Sequence, residues 1–152
     1  MIKRIFQAVL CVAMFISGAA VAATDFTKDD AVKMVNKAAA FHKANGKEKF
    51  LAEANSKTGQ FRNGEFYVVV MGLTGDILAH PINQKIIGKN FNDLPDIDGK
   101  FFRREIVSVA AGKGSGWVDY KYTNPENHKA EAKTSYILKV EDMILVCGIY
   151  KH

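Results

Sequence analysis

Cysteine is scarce in this 152-residue sequence: there are two, Cys11 and Cys147. A disulfide scaffold is excluded, because such folds need many cysteines in a short chain. Apolar runs are short as well. The clearest spans residues 5–16, about a dozen residues where a bilayer requires ~20. Charge of one sign is not gathered anywhere: the lysines are scattered among acids, which gives no nucleic-acid footprint. The four histidines, His42, His80, His128 and His152, are too dispersed for a spaced metal-ligand motif. No C-x-x-C-H, H-E-x-x-H, P-loop or G-x-S-x-G is present, so no cofactor is implied and spacing alone names no nucleophile with its base. The length supports one domain and leaves no room for a second.

The N-terminus reads as an address. Met1-Ile2-Lys3-Arg4 is a basic start, residues 5–16 form an apolar core, and Ser17 to Ala23 are small residues suited to a peptidase. This is the pattern of a secretory signal peptide, cleaved after Ala22 or Ala23. Its removal takes Lys3 and Arg4 with it, and the net charge falls from +5 to +3. Cys11 lies inside the apolar core, too early for a lipidated cysteine. The mature chain, residues 24–152, then holds Cys147 alone and cannot form an internal disulfide. Within the apolar run 143–149, Cys147 reads as a buried core residue.

The rest is a single α+β unit. Thr27-Lys28-Asp29-Asp30 predicts a capped helix start, with an apolar helical period from Ala31 to Phe41 and a stop at Asn45-Gly46. A shorter helix follows from about Lys47 to Ala54, then a polar loop over 55–64. Residues 65–72 are β-rich and apolar on both parities, which predicts a strand covered on both faces. With the turn at 73–76 and a return strand over 77–80 they form a hairpin that Pro81 ends. Residues 82–100 predict a long ordered loop, a class that tends to be functional. A helix over 101–111, a hinge-like turn at Gly114-Ser115-Gly116 and three strands at 117–122, 133–140 and 144–150 complete the order. The natural packing is a five-stranded antiparallel sheet with helices segregated from it.

Several segments carry a resemblance. Tyr67 to Pro81, Y-V-V-V-M-G-L-T-G-D-I-L-A-H-P, looks like the opening hairpin of the single Cache domain family. Ile87-Gly88-Lys89-Asn90, Asp98-Gly99-Lys100, Gly114 to Tyr120 (G-S-G-W-V-D-Y), Asn124-Pro125, Lys133 to Tyr136 (K-T-S-Y) and Gly148-Ile149-Tyr150 resemble its later motifs in order. The resemblance implies a PAS-like extracytoplasmic sensor: a five-stranded sheet, a long N-terminal helix on one face, and a small-molecule pocket between the other face and the connector at 80–115. It implies small carboxylates as ligands, of the acetate, propionate, pyruvate and lactate kind, and a role in signal transduction such as chemotaxis. Family members usually sit between two membrane helices, whereas this sequence stops two residues after its last strand. A freestanding periplasmic domain is therefore expected. It would act through a separate membrane receptor or histidine kinase, with homodimerisation through the N-terminal helix plausible by analogy.

Six residues are expected at the ligand. Lys133, near the start of a covered strand, is costly unless a carboxylate matches its charge. Tyr67 and Tyr136 offer a ring and a hydroxyl donor each. His80 ends the hairpin beside the connector, Arg103 starts the connector helix, and Trp117 would be a wall. Two other readings stay open. One is a small secreted isomerase or hydrolase using His80 and Asp119 as an acid–base pair. The other is an interaction module with a degenerate pocket and Lys133 turned to solvent.

Overall fold

The computed structural model describes residues 25–151. The signal-peptide reading of residues 1–23, with Cys11, and the terminal His152 lie outside that range. The element order is α1 (Lys28–Asn45), α2 (Lys47–Asn55), β1 (Arg62–Asn63), β2 (Phe66–Gly72), β3 (Ile77–Ala79), a 3-10 turn at Gln84–Ile86, α3 (Phe102–Gly112), β4 (Ser115–Thr123), β5 (Ala130–Val140) and β6 (Met143–Tyr150).

Local chemistry sets the boundaries. Thr27 caps α1 and Asp30 reaches back to the Thr27 N–H, a reciprocal pair that satisfies two orphan donors. Gly46 ends α1 at φ +83°, a conformation costly for any side chain, and the chain restarts at once as α2.

The sheet is fully antiparallel, ordered β1-β2-β6-β5-β4, with β3 pairing β2 further along the edge that β1 occupies. It has six strands where five were expected. The extra one is the two-residue β1, inside the stretch expected to be a loop. Gly114-Ser115-Gly116 is also less of a hinge than expected: Ser115 and Gly116 already pair with Leu138 and Ile137.

Strand alternation divides the core in two. Under α1 and α2 lie Val68, Val70, Met143, Leu145 and Cys147, packed with Val35, Ala38 and Phe50. Under α3 lie Met71, Val118, Ile137, Ile144 and Val146, packed with Phe102, Ile106 and Ala110. Both faces of β2 are thus covered, which is why its sequence is apolar on both parities. Cys147 is fully buried, and burial pushes its thiol up to about 12, so it stays protonated.

The connector between β3 and α3 has little regular structure but many ties. Asn90 and Asn92 donate to the Thr74 carbonyl at 2.9 and 2.8 Å, and Asp76 bridges to Asn90. The Asp96 carboxylate accepts from the N–H groups of Asp98, Lys100 and Lys121, pinning the connector to β4. A polar segment without ladder bonds is ordered here by side chains that supply the missing partners.

Candidate functional site

Between the sheet and α3 lies an inner chamber of about 40 Å³, lined by Tyr67, His80, Arg103, Tyr120, Tyr122 and Lys133 among others. That is roughly the space of three ordered waters, enough for a compact head group. Tyr67, His80, Ile86, Arg103 and Tyr122 also line an outer cleft of about 530 Å³ under the connector, with Asn83, Thr123 and His128 on its walls. The two spaces share a wall, and Arg103 stands in it.

Lys133 is 3% exposed. It lies on β5 between Tyr120 of β4 and Tyr150 of β6. Its stem crosses β6 over Gly148, where a β-carbon would collide with Lys133 Cε and Ser135 Oγ. The ammonium thereby reaches β2, where Nζ stands 4.3 Å from the Tyr67 ring centroid and 4.2 Å from that of Tyr150. Aromatic faces soften the burial of this cation. Among the described residues no carboxylate forms an ion pair with it. Burial therefore pulls Lys133 down from 10.5 to about 7, with Cys147 and Glu65 opposing only in part.

His80 is 4% exposed and its tautomer is set by its surroundings. Nδ1 accepts from the N–H groups of Ile82 and Asn83 at 3.3 and 3.0 Å, so the ring proton sits on Nε2. Burial, with Lys133 and then Arg103 nearby, lowers His80 to about 4. At neutral pH it is an uncharged donor, tilted against Tyr67 at 5.2 Å between ring centroids. Burial likewise holds the Tyr67 phenol well above its ordinary value, so it remains a hydroxyl. Tyr120 shares a hydrogen bond with Ser135 at 2.8 Å and stacks on Phe102.

The shifted His80 has a measurable consequence. Between pH 6.5 and 4 the unfolded chain takes up a proton that the fold refuses, so stability falls as pH drops through that window. The expected loss is on the order of 3 kcal/mol. Urea melts of the wild type and His80→Asn at pH 7 and pH 4 test this. An equal acid loss in both proteins would sink it.

Four of the six expected residues, Tyr67, His80, Arg103 and Lys133, line the chamber. Trp117 and Tyr136 do not. They touch each other on the opposite face, with ring centroids 5.3 Å apart, in the core beneath α1. Lys28 covers the Trp117 ring there. Tyr120, Tyr122, Tyr150, Ser135 and Gly148 were not anticipated. Asp119 has the parity of Trp117 and pairs with Lys151, so it lies across the sheet from His80 and the acid–base pair is not assembled. Among the described residues no cluster of His, Cys, Asp and Glu could hold a metal ion.

The sequence profile of the single Cache domain 2 family matches residues 21–152, nearly the whole chain. The chain belongs to that family. Cache domains are extracytoplasmic sensor domains, and among the described residues no helix is long and apolar enough to cross a membrane. This Cache domain is 30% identical over 86 residues to the methyl-accepting chemotaxis protein McpP of Pseudomonas putida. The match covers 55% of this chain and 16% of that receptor, so the chain spans a small part of its relative's length. A methyl-accepting chemotaxis protein of Vibrio parahaemolyticus superposes with a TM-score of 0.69 at 22% identity, over 81% of this chain and 87% of that one. A Cache chemosensory domain solved for carboxylic acid recognition superposes with a TM-score of 0.64 at 23% identity, over 82% and 88%. These likenesses establish the PAS-like fold of Cache sensors, with the long N-terminal helix on one sheet face.

Proposed function

We propose that this Cache domain is a periplasmic binding domain for a small organic carboxylate, exported with cleavage after Ala22 or Ala23, and that it reports occupancy to a separate membrane receptor or kinase. The observation that carries the reading is Lys133: a buried ammonium on the chamber wall that forms no ion pair among the described residues. A ligand carboxylate supplies the missing charge, and the His80 Nε2–H and a tyrosine hydroxyl complete its hydrogen bonds. Two relatives give support at a distance: one is a chemotaxis receptor, the other a domain that recognises a carboxylic acid. The chamber suits acids from acetate and propionate to pyruvate and lactate. The ceiling of ~1.5 kcal/mol per heavy atom would place acetate near tens of micromolar and lactate near micromolar. The ties between connector and sheet make the connector the segment through which occupancy is felt.

Isothermal titration against C2–C4 carboxylates tests the binding. Failure of every acid to give heat or raise the melting temperature at millimolar concentration would end the carboxylate reading. Proton linkage gives a sharper check. Lys133 is only partly protonated near pH 7, and a bound anion draws its pKa up. Binding at pH 8 is therefore expected to take up close to one proton. The dissociation constant should rise roughly tenfold per pH unit above 7. Titrations in two buffers of different ionisation enthalpy read that proton directly.

A further inference from the structure

We propose that the site prefers a short dicarboxylate, one head on Lys133 in the inner chamber and the other on Arg103 where the chamber opens into the outer cleft. This rests on the carboxylate reading above and narrows it.

The argument starts from a second cation. Arg103 and Arg104 are neighbours at the start of α3, yet they face different ways. Arg104 turns outward and pairs with Asp93. Arg103 turns inward, is 9% exposed, and forms no ion pair among the described residues. Its guanidinium is packed by the rings of Phe102 at 4.2 Å, Phe91 at 5.5 Å and Tyr122 at 5.9 Å. One acceptor is supplied, the Leu94 carbonyl at a long 3.4 Å. A guanidinium carries five N–H donors, so most of this one is left for something that enters the cavity.

The placement of the two cations fixes the kind of guest. Lys133 lines the inner chamber, whereas Arg103 lines both spaces. Both approach the same Tyr122 ring, Lys133 Nζ at 5.8 Å and Arg103 Cζ at 5.9 Å from its centroid. A guest anchored on Lys133 and longer than the inner chamber must leave past Arg103. An apolar tail on that path covers a cation and gives it no partner, which is costly. A second carboxylate on that path meets a planar fork suited to bidentate pairing. Beyond it, Asn83, Thr123 and His128 offer polar groups for any remaining oxygens on a cleft wall otherwise built of Ile82, Phe91, Leu94 and Pro125.

Succinate and butyrate share a chain length and differ in the second carboxylate. Titration of the intact exported domain with each is the test. Succinate is expected to bind at least tenfold more tightly than butyrate. In Arg103→Gln that ratio should collapse toward one, and in Arg103→Lys it should fall part-way, since charge remains without the fork. The wild-type ratio needs no variant, so it stands even if a substitution impairs folding. Butyrate equal to or tighter than succinate would overturn the two-headed preference and leave the carboxylate reading intact. No heat with either acid would also overturn the two-headed preference, and the carboxylate reading would fall with it only if acetate, propionate, pyruvate and lactate gave none as well. A wild-type ratio preserved in Arg103→Gln would remove Arg103 from the proposal.

Discussion

Lys133→Met is expected to abolish carboxylate binding while making the ligand-free domain more stable. The two effects have one cause. The ammonium is buried against rings and forms no ion pair among the described residues, with Glu65 offsetting its burial only in part. Methionine keeps most of the stem's volume and removes the charge. The fall of Lys133 from 10.5 to about 7 puts the burial penalty that methionine removes on the order of 4 kcal/mol below pH 7. In a domain of this size that is roughly 3–5 °C in melting temperature per kcal/mol. The gain should depend on pH in a definite direction. Between pH 7 and 10.5 the unfolded chain binds more protons at this position than the fold does, so wild-type stability from this group rises with pH across that window. The advantage of Lys133→Met is therefore largest below pH 7 and fades toward pH 10. Paired melting curves at pH 6 and pH 9, with titration of the acid panel, measure both effects. A variant that still binds, or one that is less stable at pH 6, contradicts the role given to Lys133.

Gly148→Ala should lose binding for a different reason and with the opposite sign in stability. Gly148 sits on β6 between Ser135 of β5 and the edge of β2. A β-carbon there would fall well inside contact distance of Ser135 Oγ and Lys133 Cε. Its neighbours must give way, and they are built into the site: Ser135 shares its hydroxyl with Tyr120, and the Lys133 stem passes here on its way to Tyr67. Overpacking of this kind costs about 1–3 kcal/mol. We expect a lower melting temperature and at least a tenfold weaker ligand affinity. The pair of variants separates the two properties, since both lose the ligand while one gains stability and the other loses it. Unchanged affinity in Gly148→Ala would show that the lysine has another route to the chamber.

Much of the fold was legible because its signals are local. The Thr27–Asp30 box, the Asn45-Gly46 stop and the two-sided apolar strand at Phe66–Gly72 each act through neighbours in sequence. The short β1 was not legible, since a two-residue strand carries no periodicity and exists only through its pairing with β2. The site was legible in part. Lys133 stands out as a charge on a covered strand, and His80 and Tyr67 as polar groups flanking one hairpin. Trp117 and Tyr136 drew attention as large aromatics inside familiar motifs. Parity separates these two from the site. Tyr136 is an odd number of residues from Lys133, so they point to opposite faces. The same alternation places Ser135 with Lys133, and Tyr120 with Tyr122. Gly148 needed the structure, because its importance lies in which side chain crosses it.

The strand at the middle of the sheet, β6, comes last in order among the described strands. It joins two hairpin-like halves that otherwise share no ladder: β1, β2 and β3 on one side, β4 and β5 on the other. A polypeptide emerging from its N-terminal end can form helices and local hairpins early. It cannot unite the sheet until residues 143–150 are free to insert. Gly148 and Tyr150, which floor and flank the Lys133 chamber, arrive in that same segment. The sheet and the proposed site therefore depend on the same strand, and a fragment lacking residues 143–150 is expected to lose both.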